Sequence, residues 1–323
     1  MQFSKRSERN RRVVLIGTGF VGMSFAYALL NQGGVEELVL IDRDVEKAEG
    51  EAMDLSHGVA YAPSPMKIWA GSYDDCKEAD IVVITAGAAQ LPGETRLDLT
   101  AKNTIITKGI VKQIMASGFD GVIVVVSNPV DIMTYVVQKA SGLDRSRVVG
   151  SGTTLDTARL RYMLAQYMNI DSRNVHAYIM AEHGDSSFVP WTHASVGSKN
   201  LLELLEDKGN LDMAELQSIY ENVRDAAYDI IRRKKATYYG IGMALARLIK
   251  AIMNDENSIF TVSAPLSGEY GADDVYIGVP AIIGRNGVRE VLDIGLTGED
   301  ADKMTASIQT LKKMIKESVE PNL

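Results

Sequence analysis

Val13-Val-Leu-Ile-Gly17-Thr-Gly19-Phe-Val-Gly22 carries a short apolar, β-rich run into a glycine turn. The turn opens onto Met23-Ser-Phe-Ala-Tyr-Ala-Leu-Leu30, which reads as a buried helix. A second strand-like run, Leu38-Val-Leu-Ile41, ends in Asp42, 20 residues beyond Gly22. A lone G-x-G-x-x-G is weak, because glycine turns often serve packing alone. Strand, turn, helix, strand and acid in this order describe a dinucleotide-binding unit. Gly17 permits the tight turn, Gly19 lets the backbone approach a pyrophosphate, and Gly22 lets helix and strand pack closely. The helix N-terminus offers free N–H groups and partial positive charge to the phosphates. Asp42 can accept hydrogen bonds from ribose hydroxyls and would repel a 2′-phosphate, so NAD is expected as the cofactor rather than NADP.

Outward from this unit, further apolar runs recur at α/β spacing. Ile81–Thr85 precedes Ala86-Gly87-Ala88, Val122–Val126 precedes Ser127-Asn128-Pro129, and Val148-Val149 precedes Gly150-Ser151. Continuous apolar character marks strands buried on both faces, as in a parallel sheet. Helices are expected over 97–117 and 131–141. After Gly150 the pattern loosens: a polar-punctuated helix carries Asp156, Arg159 and Arg161, and Val175–Met180 reads as a strand. A long helical region is expected over 211–253 with Thr237 inside it. Strands follow at 259–262, 275–279 and 288–292, then a helix with the apolar stripe Met304, Ile308, Leu311 and Ile315. Thr297-Gly-Glu-Asp300 suits a capping box at its start. The expected fold is α/β: a doubly wound, mostly parallel (Rossmann) sheet over 13–150, followed by an α+β substrate domain over 151–323. Residues 1–12 form a basic arm, read as solvated.

Composition narrows the function. The 323 residues carry a formal net charge of -8, without the clustered basic face of a nucleic-acid protein. No apolar run is long enough to cross a bilayer, and the N-terminus lacks the apolar core of a secretory signal, so no membrane partner and a cytoplasmic location are expected. The one cysteine, Cys76, sits among acids; no internal disulfide is possible and an inert thiol is expected. Nothing suggests a metal site.

The chemistry-bearing residues lie further on. Asp156 and Arg159 share a helix face at about 100° per residue, while Arg159 and Arg161 point roughly 200° apart. A carboxylate beside an imidazole makes an acid/base device, and a guanidinium grips a carboxylate through paired hydrogen bonds. Glu182-His183-Gly184-Asp185 supplies the imidazole. Asp156 with Arg159 is equally a surface pair at helical spacing, and His183 a satisfied core histidine; spacing alone does not bring them together.

Six segments decide between these readings: Gly17–Gly22, Pro92-Gly-Glu-Thr-Arg-Leu-Asp98, Ser127-Asn-Pro-Val-Asp131, Leu155-Asp-Thr-Ala-Arg159, Glu182–Asp185 and Ala236-Thr237. With them the chain resembles the lactate/malate dehydrogenase family, in its bacterial lactate branch, over nearly its whole length. The resemblance implies reversible hydride transfer between NADH and pyruvate, giving L-lactate. It makes His183 the proton donor and acceptor, Asp156 its ion-pair partner, Arg159 the grip on the substrate carboxylate, and Arg96 the group that closes down and polarises the ketone. Asn128 is placed near the substrate carbonyl and the nicotinamide. Gly17, Gly19, Val21, Gly22, Asp42, Lys47, Tyr73, Gly87, Ala88, Asn128 and Ser151 match positions lining the cofactor site.

Substrate choice rests on two positions in that resemblance. Malate enzymes carry an arginine where this chain has Gln90, and a neutral Gln90 leaves a second carboxylate without a counter-charge. Thr237 stands where the lactate branch presents a small polar wall. Leu91 departs from the family's common loop pattern. Arg161 and His176 match positions where allosteric relatives bind fructose 1,6-bisphosphate across a subunit interface, so this effector and a homotetramer are expected. The competing readings are malate dehydrogenase, a dehydrogenase of larger 2-oxo acids, and a non-catalytic NAD(H) sensor.

Overall fold

The computed structural model describes residues 11–88, 93 and 95–323; Gln90 and Leu91 lie outside the described residues, as does the side chain of Arg96. The first half alternates strand and helix: β1 (Arg12–Ile16), α1 (Phe20–Gln32), β2 (Glu37–Ile41), α2 (Val45–Gly58), β3 (Lys67–Ala70), β4 (Ile81–Ile84), α3 (Arg96–Ala116), β5 (Val122–Val125), α4 (Val130–Ser141) and β6 (Val148–Gly150). These strands are parallel, in the order β6-β5-β4-β1-β2-β3. Val13, Val14, Leu15, Val82, Val83, Ile123 and Val124 have no exposed surface. That burial is what an all-apolar strand with helices on both faces requires.

The second half begins with α5 (Thr154–Met168), β7 (Val175–His176), β8 (Ser195–Val196), β9 (Lys199–Asn200), α6 (Leu201–Asp207), α7 (Met213–Lys234) and α8 (Tyr239–Asn254). It ends with β10 (Ser258–Ser267), β11 (Asp273–Gly284), β12 (Gly287–Val291) and α9 (Gly298–Met314). The sheet does not stop at β6. β10 pairs with it antiparallel at Ser263 and Gly150, and β11 and β12 follow, giving nine strands among the described residues. A second, smaller core of Leu160, Leu164, Val175, Ile179, Leu205, Leu216 and Val223 holds α5 against α7 and the small β7–β9 sheet. α8 lays its apolar face (Leu245, Leu248, Ile249, Ile252) against α1, so the two halves share one main core.

Several expectations change. The segment from Val175 to Met180 pairs as a strand only to His176; Met180 makes an isolated bridge to Phe188 instead. The helical region over 211–253 is broken: α7 ends at a left-handed Lys235 and Thr237 lies in the gap before α8. The three basic residues of the last turn of α7 favour such an end, and an exposed left-handed residue closes it. Thr297 does cap α9, but its side chain makes no capping bond; closed capping boxes form instead at Ser72 with Asp75 and Thr95 with Asp98. α1 is buried on one side only, for Phe20 and Tyr27 are exposed. Arg12, grouped by composition with the basic arm, opens β1, donates to Glu37 at 2.7 Å and lies over Trp69. Cys76 is buried, and that burial, with Asp75 nearby, pushes its thiol up to about 12. Such a thiol stays protonated and unreactive.

Candidate active site

The carboxyl ends of the six parallel strands form one edge. β1 delivers Gly17, β2 Asp42, β3 leads to Tyr73, β4 to Gly87 and Ala88, β5 to Asn128, and β6 to Ser151. Strand order reverses direction between β1 and β4, which is where open α/β sheets leave a crevice for a ligand. Gly17 takes φ +106°, a value only glycine holds cheaply, and its carbonyl accepts the Thr85 hydroxyl at 2.8 Å. A Cβ on Gly22 would stand 2.1 Å from that same carbonyl oxygen, whereas one on Gly19 would meet nothing within 4 Å. The two glycines therefore do different work: Gly22 closes helix to turn, and Gly19 leaves open space above the N-terminus of α1. Val21 is half-buried in that first turn.

Asp42 is fixed at the end of β2. One carboxylate oxygen accepts the Thr18 N–H at 2.7 Å and the Thr18 hydroxyl at 2.9 Å, and the other accepts the Asp44 N–H at 3.1 Å. Burial alone would raise its pKa, but these bonds and the nearby Lys47 ammonium hold it below the ordinary value. A carboxylate oxygen can take more than one donor, so a ribose hydroxyl still finds an acceptor there. Lys47 donates to the Thr18 carbonyl at 2.7 Å. Open space at a helix N-terminus, a tight glycine turn and an anchored carboxylate on the next strand together fit NAD.

The second cluster lies on α5 and the loop after Met180. His183 Nδ1 is 2.6 Å from Asp156 Oδ2, and Arg159 donates to Asp156 Oδ1 at 3.0 Å. Burial works against charging the imidazole, but the Asp156 carboxylate, with Asp131 behind it, outweighs that and raises His183 above its ordinary value. Burial likewise works against the Asp156 anion, and His183 and Arg159 outweigh it, holding Asp156 low. His183 keeps 32% of its side chain exposed while Asp156 keeps 13%. The imidazole therefore faces an opening with the carboxylate behind it. That opening is a cleft of about 250 Å³ lined by Asn128, Asp156, Arg159, His183 and Ser187, and across from them by Val223, Arg224, Ala227 and Tyr228 of α7.

The sequence alone assigns no role to two supporting residues. Asp131, on α4, accepts the His183 backbone N–H at 2.8 Å and also the Ser263 hydroxyl. It is buried, and that burial pushes its carboxyl up to about 6 despite these bonds. Asn103, on α3, accepts the Ala88 N–H at 2.8 Å and donates to the Asn128 carbonyl at 2.8 Å, tying the loop after β4 to the loop after β5. The polar stripe Thr100, Asn103, Thr104 and Thr107 within a helix is the only hint that such a clamp exists, since these side chains are buried. Thr237 is half-buried in the gap between α7 and α8 and is not among the residues lining the cleft. Arg161 points away from the cleft: it donates to the Ala177 carbonyl at 3.1 Å and lies 5.3 Å over the Tyr178 ring. His176 is exposed on β7, one residue before Ala177.

Family models match both halves: the lactate/malate dehydrogenase NAD binding domain over residues 11–150, and the alpha/beta C-terminal domain of the same enzymes over 153–321. The chain belongs to the lactate/malate dehydrogenase family. It is an NAD-dependent oxidoreductase, and NAD is its cofactor. It is 59% identical over 302 residues to L-lactate dehydrogenase 2 of Bacillus anthracis, covering 94% of this chain and 96% of that one. Among solved structures, a lactate dehydrogenase from a Medee basin deep-sea metagenome library matches with a TM-score of 0.94 at 54% identity, over 96% of this chain and 99% of the other. The minor L-lactate dehydrogenase from Enterococcus mundtii, in its ligands-bound form, matches with a TM-score of 0.93 at 51% identity, over 95% and 98%. No helix among the described residues is long and apolar enough to cross a membrane.

Proposed function

We propose that this member of the family is an L-lactate dehydrogenase that reduces pyruvate to L-lactate and runs the reverse reaction. The observation that carries the reading is the cleft itself, with an imidazole backed by a carboxylate beside a guanidinium. Gly17, Gly19, Val21, Gly22, Asp42, Lys47, Tyr73, Gly87, Ala88, Asn128 and Ser151 would hold NAD along the sheet edge. When bound, NADH supplies the hydride. Arg159 binds the substrate carboxylate through its remaining guanidinium donors. His183, charged, gives its Nε2 proton to the substrate oxygen, and Asp156 keeps the proton on Nδ1 and stabilises the imidazolium. Asn128 and Arg96 are assigned to the substrate carbonyl, where donors lower the barrier by meeting charge as it develops. Arg96 is the first residue of α3, six residues after Gln90 in the sequence.

Pyruvate is favoured over oxaloacetate because Gln90 brings no charge to a second carboxylate; Thr237, which the resemblance assigns to the pocket wall, is not among the residues lining the cleft. Fructose 1,6-bisphosphate is proposed as activator at Arg161, on α5, and His176, on β7. A homotetramer in the cytoplasm completes the reading. The test is NADH oxidation by the purified protein with pyruvate and, separately, oxaloacetate, each with and without the sugar bisphosphate. Strong preference for pyruvate supports the Gln90 assignment; preference for oxaloacetate overturns it. Activation lost in the Arg161→Gln, His176→Gln double variant supports the effector site. An unchanged response in that variant removes it.

A further inference from the structure

A ring of hydrogen bonds closes around the histidine loop. The Glu182 backbone N–H donates to Ser307 Oγ at 3.1 Å. Ser186 donates its hydroxyl to Glu182 Oε2 at 2.6 Å, and the two serine oxygens are 2.8 Å apart. The proton positions follow. Because Ser186 spends its hydrogen on the carboxylate, it can only accept from Ser307. Because Ser307 donates to Ser186, it accepts from Glu182. The circuit therefore runs Glu182 N–H to Ser307, Ser307 to Ser186, and Ser186 back to the Glu182 carboxylate. Residues 182 and 186 bracket His183, and the only distant member is Ser307, 121 residues from Ser186, in the middle of α9. Ser307 has no exposed surface and Glu182 keeps 5%.

The ring is one of several anchors of the loop. His183 itself hangs by its N–H from Asp131 on α4, and Ala181, held at φ +77°, exchanges both backbone bonds with Gly278 on β11. Those two anchors fix the chain up to His183. Ser186 and Ser187 lie on the far side, where the chain turns back: the Tyr220 hydroxyl of α7 donates to the Ser187 carbonyl, and Ser307 of α9 holds Ser186. Helix α9 packs against β11 and continues into 315–319, which packs on α3.

We infer that Ser307, with Ser186 and Glu182, is a positioning residue for His183: it closes the loop so that the imidazole meets Asp156. This rests on the reading of His183 as the acid/base group. Ser307 touches neither substrate nor cofactor in that reading. It acts through the distance between His183 and Asp156. The charged groups acting on the imidazole are Asp156 and Arg159 from α5 and Asp131 from α4, with Glu182 acting on Asp131, while Asp185 of its own loop and Arg224 and Tyr228 of α7 line the cleft it faces. Loosening the loop weakens the contact with Asp156 while the other charges stay in place.

The experiment compares Ser307→Ala, Ser186→Ala and His183→Asn in the full-length protein. It measures NADH affinity by fluorescence, kcat and KM for pyruvate, and the pH profile of kcat/KM. Ser307→Ala and Ser186→Ala are expected to lower kcat by at least about threefold with NADH affinity unchanged. Their alkaline limb should move to lower pH by about half a unit, as the imidazole loses part of its carboxylate partner. Ser186 is half-buried, so its variant keeps the test open if Ser307→Ala does not fold. Wild-type kcat and an unmoved pH limb in either folded variant overturn the proposal, even with a lowered Tm. Full activity in His183→Asn overturns the acid/base reading instead, which separates the two failures.

Discussion

His183 Nδ1 lies 2.6 Å from Asp156 Oδ2, across 27 residues of chain and from a different element. One carboxylate thereby sets both the tautomer and the charge of the imidazole, and its second oxygen orients Arg159 at 3.0 Å. In the proposed mechanism, acid/base chemistry and substrate grip share a single buried anchor. Asp156→Asn keeps the shape and removes the charge. Pyruvate reduction at neutral pH should fall by about 10²-fold or more, the scale of general acid–base catalysis, with NADH affinity intact. Turnover within twofold of the parent, read by NADH absorbance, would take Asp156 out of the mechanism.

The pH dependence has a definite sign. His183 is raised above its ordinary value of 6.5, and the proposed mechanism uses its protonated form for reduction. The kcat/KM for pyruvate should hold steady as pH climbs past 6.5 and decline only at higher pH, as the imidazole loses its proton. In that mechanism oxidation of L-lactate needs the neutral imidazole and should rise over the same interval. Parallel limbs for both directions would contradict the assignment.

Gly19 and Gly22 separate cofactor binding from stability. Gly19 has φ -76° and open space at its Cβ position, so Gly19→Ala should leave the Tm nearly unchanged and weaken NADH, because the methyl occupies the approach to the helix N-terminus. Gly22→Ala drives a methyl against Gly17 O and Thr85 Oγ1, so it should lower stability by about 1–3 kcal/mol as well as affinity. Calorimetry and fluorescence titration read both. Equal effects of the two variants on Tm would show that the glycines are not divided in this way.

Asn103→Ala removes the clamp between Ala88 and Asn128. The Ala88 N–H loses its acceptor and the Asn128 carbonyl its donor, an effect of about 1–3 kcal/mol on stability where water cannot replace them. The same change should raise the KM for pyruvate, since Asn128 lines the cleft. Steady-state kinetics beside thermal unfolding test it; a lower Tm with wild-type KM would confine Asn103 to a structural role.

The first half of the fold was open to reading because its signals are local. Val13–Ile16, Gly17–Gly22 and Asp42 lie within one βαβ unit, and each apolar run there is buried on both faces. The second half was less legible for physical reasons. β7, β8 and β9 are two residues each, too short for a period to register, and β3 is a half-buried edge strand. The break at Lys235 rests on one left-handed residue inside an otherwise helical composition. In the site, residue types were readable but their meetings were not. Nothing local in the sequence joins Asp156 to His183, and nothing in the polar content of α9 singles out Ser307 as a partner of residues 182 and 186.

The strand β6 is joined to β10 through the single pair Gly150 and Ser263, and Ser263 also donates to Asp131 beneath His183. The nucleotide-holding half is therefore not a detachable cassette. Cutting the chain after residue 150 would bare one side of a three-residue strand whose side chains are wholly buried, and an uncovered hydrophobic strand edge recruits copies of itself. A fragment carrying the glycine turn alone should be recovered as aggregate.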